Sequence, residues 1–567
     1  MARDSRPPGD FASVAHPPPP SSPGNPGNPG TPGDARDPRD QRMYEDWLAT
    51  ASMGDPQQAG GAFLAMLRHL REQPSPPPQA LKVLEWLHPR VIEVVEQHFK
   101  RFSGKALPLS LPEDQAYVQV GALCEAMGAH YRALRETKPG VPKLARALLA
   151  SPLRLTWLRG LEYAALQITA AYAARRDVAA GLWQALHDQY AQAEQAGFAQ
   201  HAVGEGGQAQ TCAGAYAQPL LLALTNPYGL LPRDARWLRE WVGQWSRKAA
   251  VVSRIEKTAA YGVDLGGDTP PAWVAVDSPR PDRRYLDLGA LRNTLRKRLH
   301  LLAAGHSPAE AALGADCVEP AASRLLKSLL TAWSAGAPAS HFPRRPARPD
   351  ATIAHVAIGV DAAHRAMAGA WLERPNKPIW DYTTRGEPFT PRAAFGTPSS
   401  GEAGGIAWRI LDESAMGFRL RLDNASPAPR DRIALQQLLA VRPHGATLHI
   451  LADVRWLMQG TVDSTAGPAA FVTIGTRALP GLPRACAVRS LAQDPDAASE
   501  SFIQAFVLEP PRGLPECLVL PSGAFQSLGG FEGRVEMRLE DGVRRARLAG
   551  ITQRGYDYEC ATLAPMA

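Results

Sequence analysis

From about residue 44 to residue 333 the apolar positions recur three or four apart. Residues 79–100 (QALKVLEWLHPRVIEVVEQHFK) place Leu81, Val83, Leu84, Leu87, Val91, Ile92, Val94, Val95 and Phe99 on one stripe, the period of an amphipathic helix. The same period predicts helices over 111–136, 142–176, 177–197, 232–249, 285–303 and 318–334, with 158–174 as a buried central helix. Pro89 is expected to start or kink a turn. Gly-rich 204–215 and Pro-rich 263–283 read as loops. At His341 the texture changes to HFPRRPARPD, a Pro-Arg linker that cannot be helical. Short alternating runs follow at 351–360, 406–411, 417–422, 437–441, 446–457 and 470–476. More follow at 502–508, 517–520, 533–539, 544–552 and 556–561. The expectation is an α+β chain: a Pro/Gly-rich tail (1–42), an all-α domain (43–336) and an Arg-rich linker (337–349). An antiparallel β-barrel (350–480) and a second small β-barrel-like unit (500–567) come after it.

Composition changes this picture little. The chain has 567 residues, enough for about three structural units. It is 45% hydrophobic and 21% charged, ordinary for a protein with packed cores. The net charge is +7, a mild excess that excludes polybasic behaviour along the whole chain, so any basic site must be local. Only ten of the 62 cations are lysine, leaving 52 arginines. The six cysteines are scattered, with no zinc-ligand spacing, so neither a metal site nor a disulfide framework is expected. Residues 1–40 hold eleven prolines, including PGNPGNPGTPG, and are expected to be disordered. Met1 to Asp10 has no apolar leader core, and no run approaches the roughly 18 apolar residues of a membrane helix. A cytoplasmic protein is expected.

Two short motifs carry candidate chemistry. The first, Arg344-Arg345-Pro346-Ala347-Arg348, has the form RxxxR and lies in the linker. The second, Asp412-Glu413-Ser414-Ala415-Met416-Gly417, has the form D-x-S-x-x-G and sits between two predicted strands. RxxxR recurs at Arg280/Arg284 and Arg292/Arg296, so the signal is the conjunction and its place before and inside a barrel pattern. In this conjunction the chain resembles the PilZ domain family, six-stranded barrels that bind cyclic di-GMP. Residues 438–443 (LLAVRP) and 447–457 (TLHILADVRWL), above all Val454-Arg455-Trp456, are similar to that family's later strands. The resemblance spans about 340–480. It implies a nucleotide site made of Arg344, Arg345, Arg348, Asp412, Ser414 and Gly417.

Such residues suit such a ligand. A guanidinium can fork onto guanine O6 and N7 or onto a phosphate, or stack on the purine. Asp412 can accept from the guanine N1–H and N2–H edge, and Ser414 can hydrogen-bond a phosphate or the same edge. Gly417 permits a tight turn or close approach. Arg345 could serve a second stacked ligand, and one or two molecules per site both fit. The same residues also fit an Asx turn and solvated linker charges. Trp408 and Trp456 are read as barrel core. The interval from Arg348 to Asp412 exceeds the family's usual spacing through an insertion at 371–405.

The sequence therefore points to a cyclic di-GMP receptor that passes linker rearrangement to a helical domain binding an unknown protein partner. The alternative is a ligand-free adaptor with a degenerate barrel in pilus, flagellar or envelope assembly. Nucleic-acid binding through Arg292–Arg298 (RNTLRKR) is set aside because acids balance most helices. No P-loop, nucleophile elbow or zinc-protease motif occurs, and Gly266-Gly267-Asp268 runs into Thr-Pro. No catalytic residue, metal or cofactor is expected.

Overall fold

The computed structural model describes residues 45, 54–73, 76–135, 150–204, 209–276, 280–334, 344–347, 352–368, 405–426, 428, 431–464, 467–491, 502–510 and 513–566. The helical period is realised as α1 (Pro56–Glu72), α2 (Pro77–Phe102), α3 (Leu111–Ala133), α4 (Ala150–Ala173), α5 (Leu182–Gln195), α6 (Cys212–Ala223), α7 (Pro232–Trp245), α8 (Gly289–Ala303) and α9 (Ala321–Ala332). Local chemistry sets the starts. Asp55 accepts the Gln57 N–H at 3.1 Å ahead of α1. The Ser110 N–H donates to Glu113 Oε2 at 2.8 Å at the head of α3. Pro89 does not end α2. Val83, Leu84 and Leu87 before it and Val91, Val94 and Val95 after it bury on one face, and that packing carries the helix through.

One expectation fails inside the helical region. A four-stranded antiparallel sheet, β1 (Ala250–Val252), β2 (Ala259–Asp264), β3 (Ala272–Ala275) and β4 (Arg283–Asp287), stands where helix and loop were predicted. Its order is β1-β4-β2-β3. Alternation was invisible because Ala260, Tyr261, Gly262 and Val263 are all buried in succession. Residues 212–215, read as loop, begin α6, a helix buried on nearly every side and so without an amphipathic stripe.

After the linker, β5 (Arg345–Pro346), β6 (Ile353–Ile358), α10 (Val360–Ala368), β7 (Ile406–Ser414), β8 (Gly417–Asp423), β9 (Leu438–Pro443), β10 (Ile450–Ser464) and β11 (Gly467–Ala478) follow. Six of these strands close into an antiparallel barrel in the order β7-β6-β9-β10-β11-β8, with β8 returning to β7. β5 is a short arm laid along the far end of β7. A second closed barrel comprises β12 (Leu482–Ser490), β13 (Ile503–Glu509), β14 (Cys517–Pro521), β15 (Arg534–Leu539), β16 (Gly542–Arg554) and β17 (Tyr558–Pro565), with α11 (Ala524–Ser527) after β14. It begins at Leu482, not near 500. β12 was missed because Ala485 to Val488 are buried consecutively, one face against the barrel interior and the other against α10 and the first barrel.

Counting each barrel's strands from one to six in chain order, both rings read 1-2-3-6-5-4. The two barrels share one topology.

The units are packed, not strung out. A single apolar cluster joins Phe63, Leu87, Phe102 and Val120 of α1–α3 to Trp408, Ile410, Leu420 and Ile474 of the first barrel. A second fills α4–α9 and the small sheet around Trp237, Trp241, Trp245 and Trp333. A third holds α10, Leu438, Leu451, Phe506 and Tyr558 between the two barrels.

Candidate ligand-binding site

The β7–β8 hairpin turns through Ala415 and Met416. The Ser414 hydroxyl closes that turn, accepting the Met416 N–H at 3.3 Å and donating to the Gly417 carbonyl at 3.3 Å. A side chain at Gly417 would run into the carbonyl of Thr476, so this strand start requires glycine. With Ser414 opposite Gly417 and Glu413 opposite Phe418, the register sets Asp412 against Arg419.

The arm arrives on the other side. β5 pairs antiparallel with β7, Arg345 facing Glu413 and Pro346 facing Asp412. Arg344 Nη1 reaches Asp412 Oδ1 at 3.3 Å, and Arg419 Nε lies 2.8 Å from Oδ2. The Arg419 Nε–H is not aimed at that oxygen, so this contact is an ion pair and not a good hydrogen bond. Asp412 is only 15% exposed, whereas Arg344 is 53% exposed. Four of the six sequence-derived residues thus converge, Arg344, Asp412, Ser414 and Gly417, while Arg345 lies beside them on the arm but in register with Glu413, on the other face from Asp412. Arg348, and all of the 371–405 insertion except Gly405, lie outside the described residues.

Two neighbours were not singled out as site residues. Arg419 follows from hairpin arithmetic, since a two-residue turn fixes its partner. Trp456 corrects an expectation. Trp408 is core, but Trp456 is half-buried on the outer face. Asp412, Arg419, Gly475 and Trp456 form one cross-strand row, and the indole covers Gly475 so closely that no side chain fits there. A bulge between Val454 and Trp456 re-aims the ring, which strict alternation could not foresee. One row further, Arg421 stacks on Phe471 at 3.6 Å, and Arg421 and Arg409 both grip Asp423. Burial raises the Asp423 carboxyl, but these two guanidiniums outweigh it and hold the pKa below the ordinary range. The face therefore presents four guanidiniums, two carboxylates and two aromatic rings, a set suited to a planar anionic ligand.

Residues 42–255 match the family model of the cyclic-di-GMP receptor FimW, N-terminal domain. The FimW match runs from before α1 to just past β1 and covers well under half of the chain. It contains neither barrel. No curated protein and no solved structure matches the chain.

The FimW-like region touches the barrel directly. The Leu107 N–H donates to Ile433 O at 2.8 Å, and the Ile433 N–H returns to Leu107 O at 2.7 Å. Gln459 on β10 accepts the Leu109 N–H at 2.9 Å, and its own N–H donates to Arg175 O at 2.8 Å. Arg432 forks onto Glu113 and the Ala106 carbonyl, both at 2.6 Å. Gly229, in the 3-10 turn Pro227–Gly229, lies against the carbonyl of Arg455, the residue before Trp456.

Proposed function

We propose that this chain is a cyclic di-GMP receptor that takes the nucleotide on a PilZ-like barrel, β6–β11, between the arm and the β7–β8 hairpin. The observation that carries this reading is the meeting of Arg344 and Asp412, 68 residues apart, on the rim of a closed six-stranded barrel. The match of residues 42–255 to the N-terminal domain of a cyclic-di-GMP receptor supports it independently.

Each residue has work in this scheme. Arg344, Arg345 and Arg348 supply forks for guanine O6/N7 or phosphate. Asp412, at present shared by Arg344 and Arg419, accepts from the guanine edge once Arg344 turns to the ligand. Ser414 and Gly417 hold the hairpin open to close approach, and Trp456 offers a stacking face. Arm movement reaches the helical region through β10, because Trp456 and Gln459 lie on one strand. The output is a protein contact of the helical region, a switch of the order-and-dock kind.

The test is calorimetric titration of the full chain with cyclic di-GMP. Wild type gives saturable heat. Arg344→Ala, Arg348→Ala and Asp412→Ala each weaken binding tenfold or more, from loss of charge-assisted bonds of roughly 1.5–3 kcal/mol. Absence of heat with wild type overturns the reading. It favours the second one, a ligand-free adaptor, which the existing Arg344–Asp412–Arg419 cluster supports because the carboxylate is already satisfied.

A further inference from the structure

Several arginines of the helical region hold a carboxylate. Arg283 holds Asp264, Arg284 holds Glu194, Arg239 holds Glu96 and Arg159 holds Glu85. Helix α8 instead concentrates cations without such partners. Its sequence, GALRNTLRKRLHLLA, has no acid. Arg292 spends its guanidinium on the Ser334 carbonyl, Arg296 on Asn293 and Arg298 on the face of Trp245. Lys248, from the 3-10 turn Ser246–Lys248, reaches in to the Thr294 hydroxyl at 2.9 Å. Among the described residues, none of Lys248, Arg292, Arg296, Lys297 and Arg298 has a carboxylate within ion-pair distance. Five cations thus gather on two adjoining elements with no acid to pair them.

We propose that the α8 face, with Lys248 beside it, is a docking surface for an anionic phospholipid bilayer. The cations span two elements and so form a broad patch, not a single ridge that would follow a groove. Asn293, Arg296, Lys297 and His300 are exposed, while only Leu291, Thr294 and Leu295 of the helix are buried. Single-stranded nucleic acid calls for exposed stacking rings. The patch's aromatic, Trp245, is buried beneath Arg298. Clusters of four to eight Lys/Arg at a surface are the usual electrostatic match to acidic headgroups. Crowding is already felt: partial burial, and then Arg298 and Lys297, push the Lys248 ammonium pKa down. A layer of negative headgroups would relieve that repulsion. No helix among the described residues is long and apolar enough to cross a membrane, so the contact would be peripheral. It does not depend on nucleotide binding by the barrel.

The experiment is flotation of the full chain with vesicles of phosphatidylcholine alone or with about one third phosphatidylglycerol. The expected result is binding to the acidic vesicles only, falling steeply as salt shortens the screening length. Arg296→Glu/Lys297→Glu should weaken it by well over tenfold, at roughly fivefold or more per charge, leaving cyclic di-GMP heat unchanged. A control reversal on the second barrel, Arg545→Glu/Arg547→Glu, should keep vesicle binding. No binding to acidic vesicles, or equal loss in both double variants, overturns the proposal. So does salt-sensitive binding of random-sequence DNA that Arg296→Glu/Lys297→Glu abolishes while vesicle binding persists.

Discussion

Asp412 is held by two guanidiniums that reach it from different parts of the chain, one from the arm and one from the neighbouring strand. Both partners are largely solvated, and exposed pairs of this kind contribute about 0–1 kcal/mol. Asp412→Asn should therefore leave the denaturation midpoint nearly unchanged while cutting cyclic di-GMP affinity about tenfold, a split that separates a binding residue from a structural one. Gly417 should behave in the opposite way. Gly417→Ala forces a methyl group into the Thr476 carbonyl, and the strand must shift at a cost of about 1–3 kcal/mol, read as a lower melting temperature. His88 gives a pH signature. It shares a 2.9 Å hydrogen bond with the Tyr163 hydroxyl, and burial first, then Arg159, lower its pKa to about 4 from 6.5. A depressed histidine stabilises the fold fully above pH 6.5, and that contribution is lost as pH falls toward 4. The loss is at most on the order of 3 kcal/mol. Denaturant midpoints between pH 7 and pH 4.5 should slope accordingly, and less in His88→Gln.

At the scale of elements, what the sequence could show followed from how many sides of an element are covered. α2, α7 and the β7–β8 hairpin have one solvent face, and their patterns are plain. β2, α6 and β12 are enclosed on both faces or all round, and there the pattern carries no period. The Asp-x-Ser-x-x-Gly turn was legible because a turn is local chemistry. Trp456 was not, because a bulge changed the parity of its strand. The same reasoning singles out Gln459. Its buried side chain satisfies the Leu109 N–H across the boundary between helices and barrel. Gln459→Ala orphans that donor and should cost about 1–3 kcal/mol in chemical denaturation.

For the whole molecule, the repeated ring order of the two barrels sets up a comparison within one chain. The second barrel's connection between its second and third strands reads EPPRGLPEC and lacks the Asp-x-Ser-x-x-Gly turn. Titration of Asp412→Ala should accordingly show only the weakened binding of the first barrel, with no second, unaltered binding phase from β12–β17. The barrels also share a buried charge. Asp453 on β10 is fully buried and accepts from Gln553 at 3.0 Å and from the Tyr558 hydroxyl at 3.3 Å, with Arg455 at 3.0 Å. Asp453→Ala leaves those donors unmatched and should cost about 2–4 kcal/mol. Differential scanning calorimetry should then show the two barrels melting separately instead of in one transition.

Within seven residues, strand β10 therefore meets the second barrel at Asp453, the candidate ligand face at Trp456 and the helices at Gln459. At about 3.3 Å per residue, those three meetings fall within some 20 Å of backbone. The borders drawn along the sequence are thus not borders in space. A first barrel freed of its neighbours would bare the apolar wall that Phe102 and Leu107 now cover, and would leave Asp453 facing solvent. Dissection of this protein is best done by point substitution, because its separable pieces are sites and not segments.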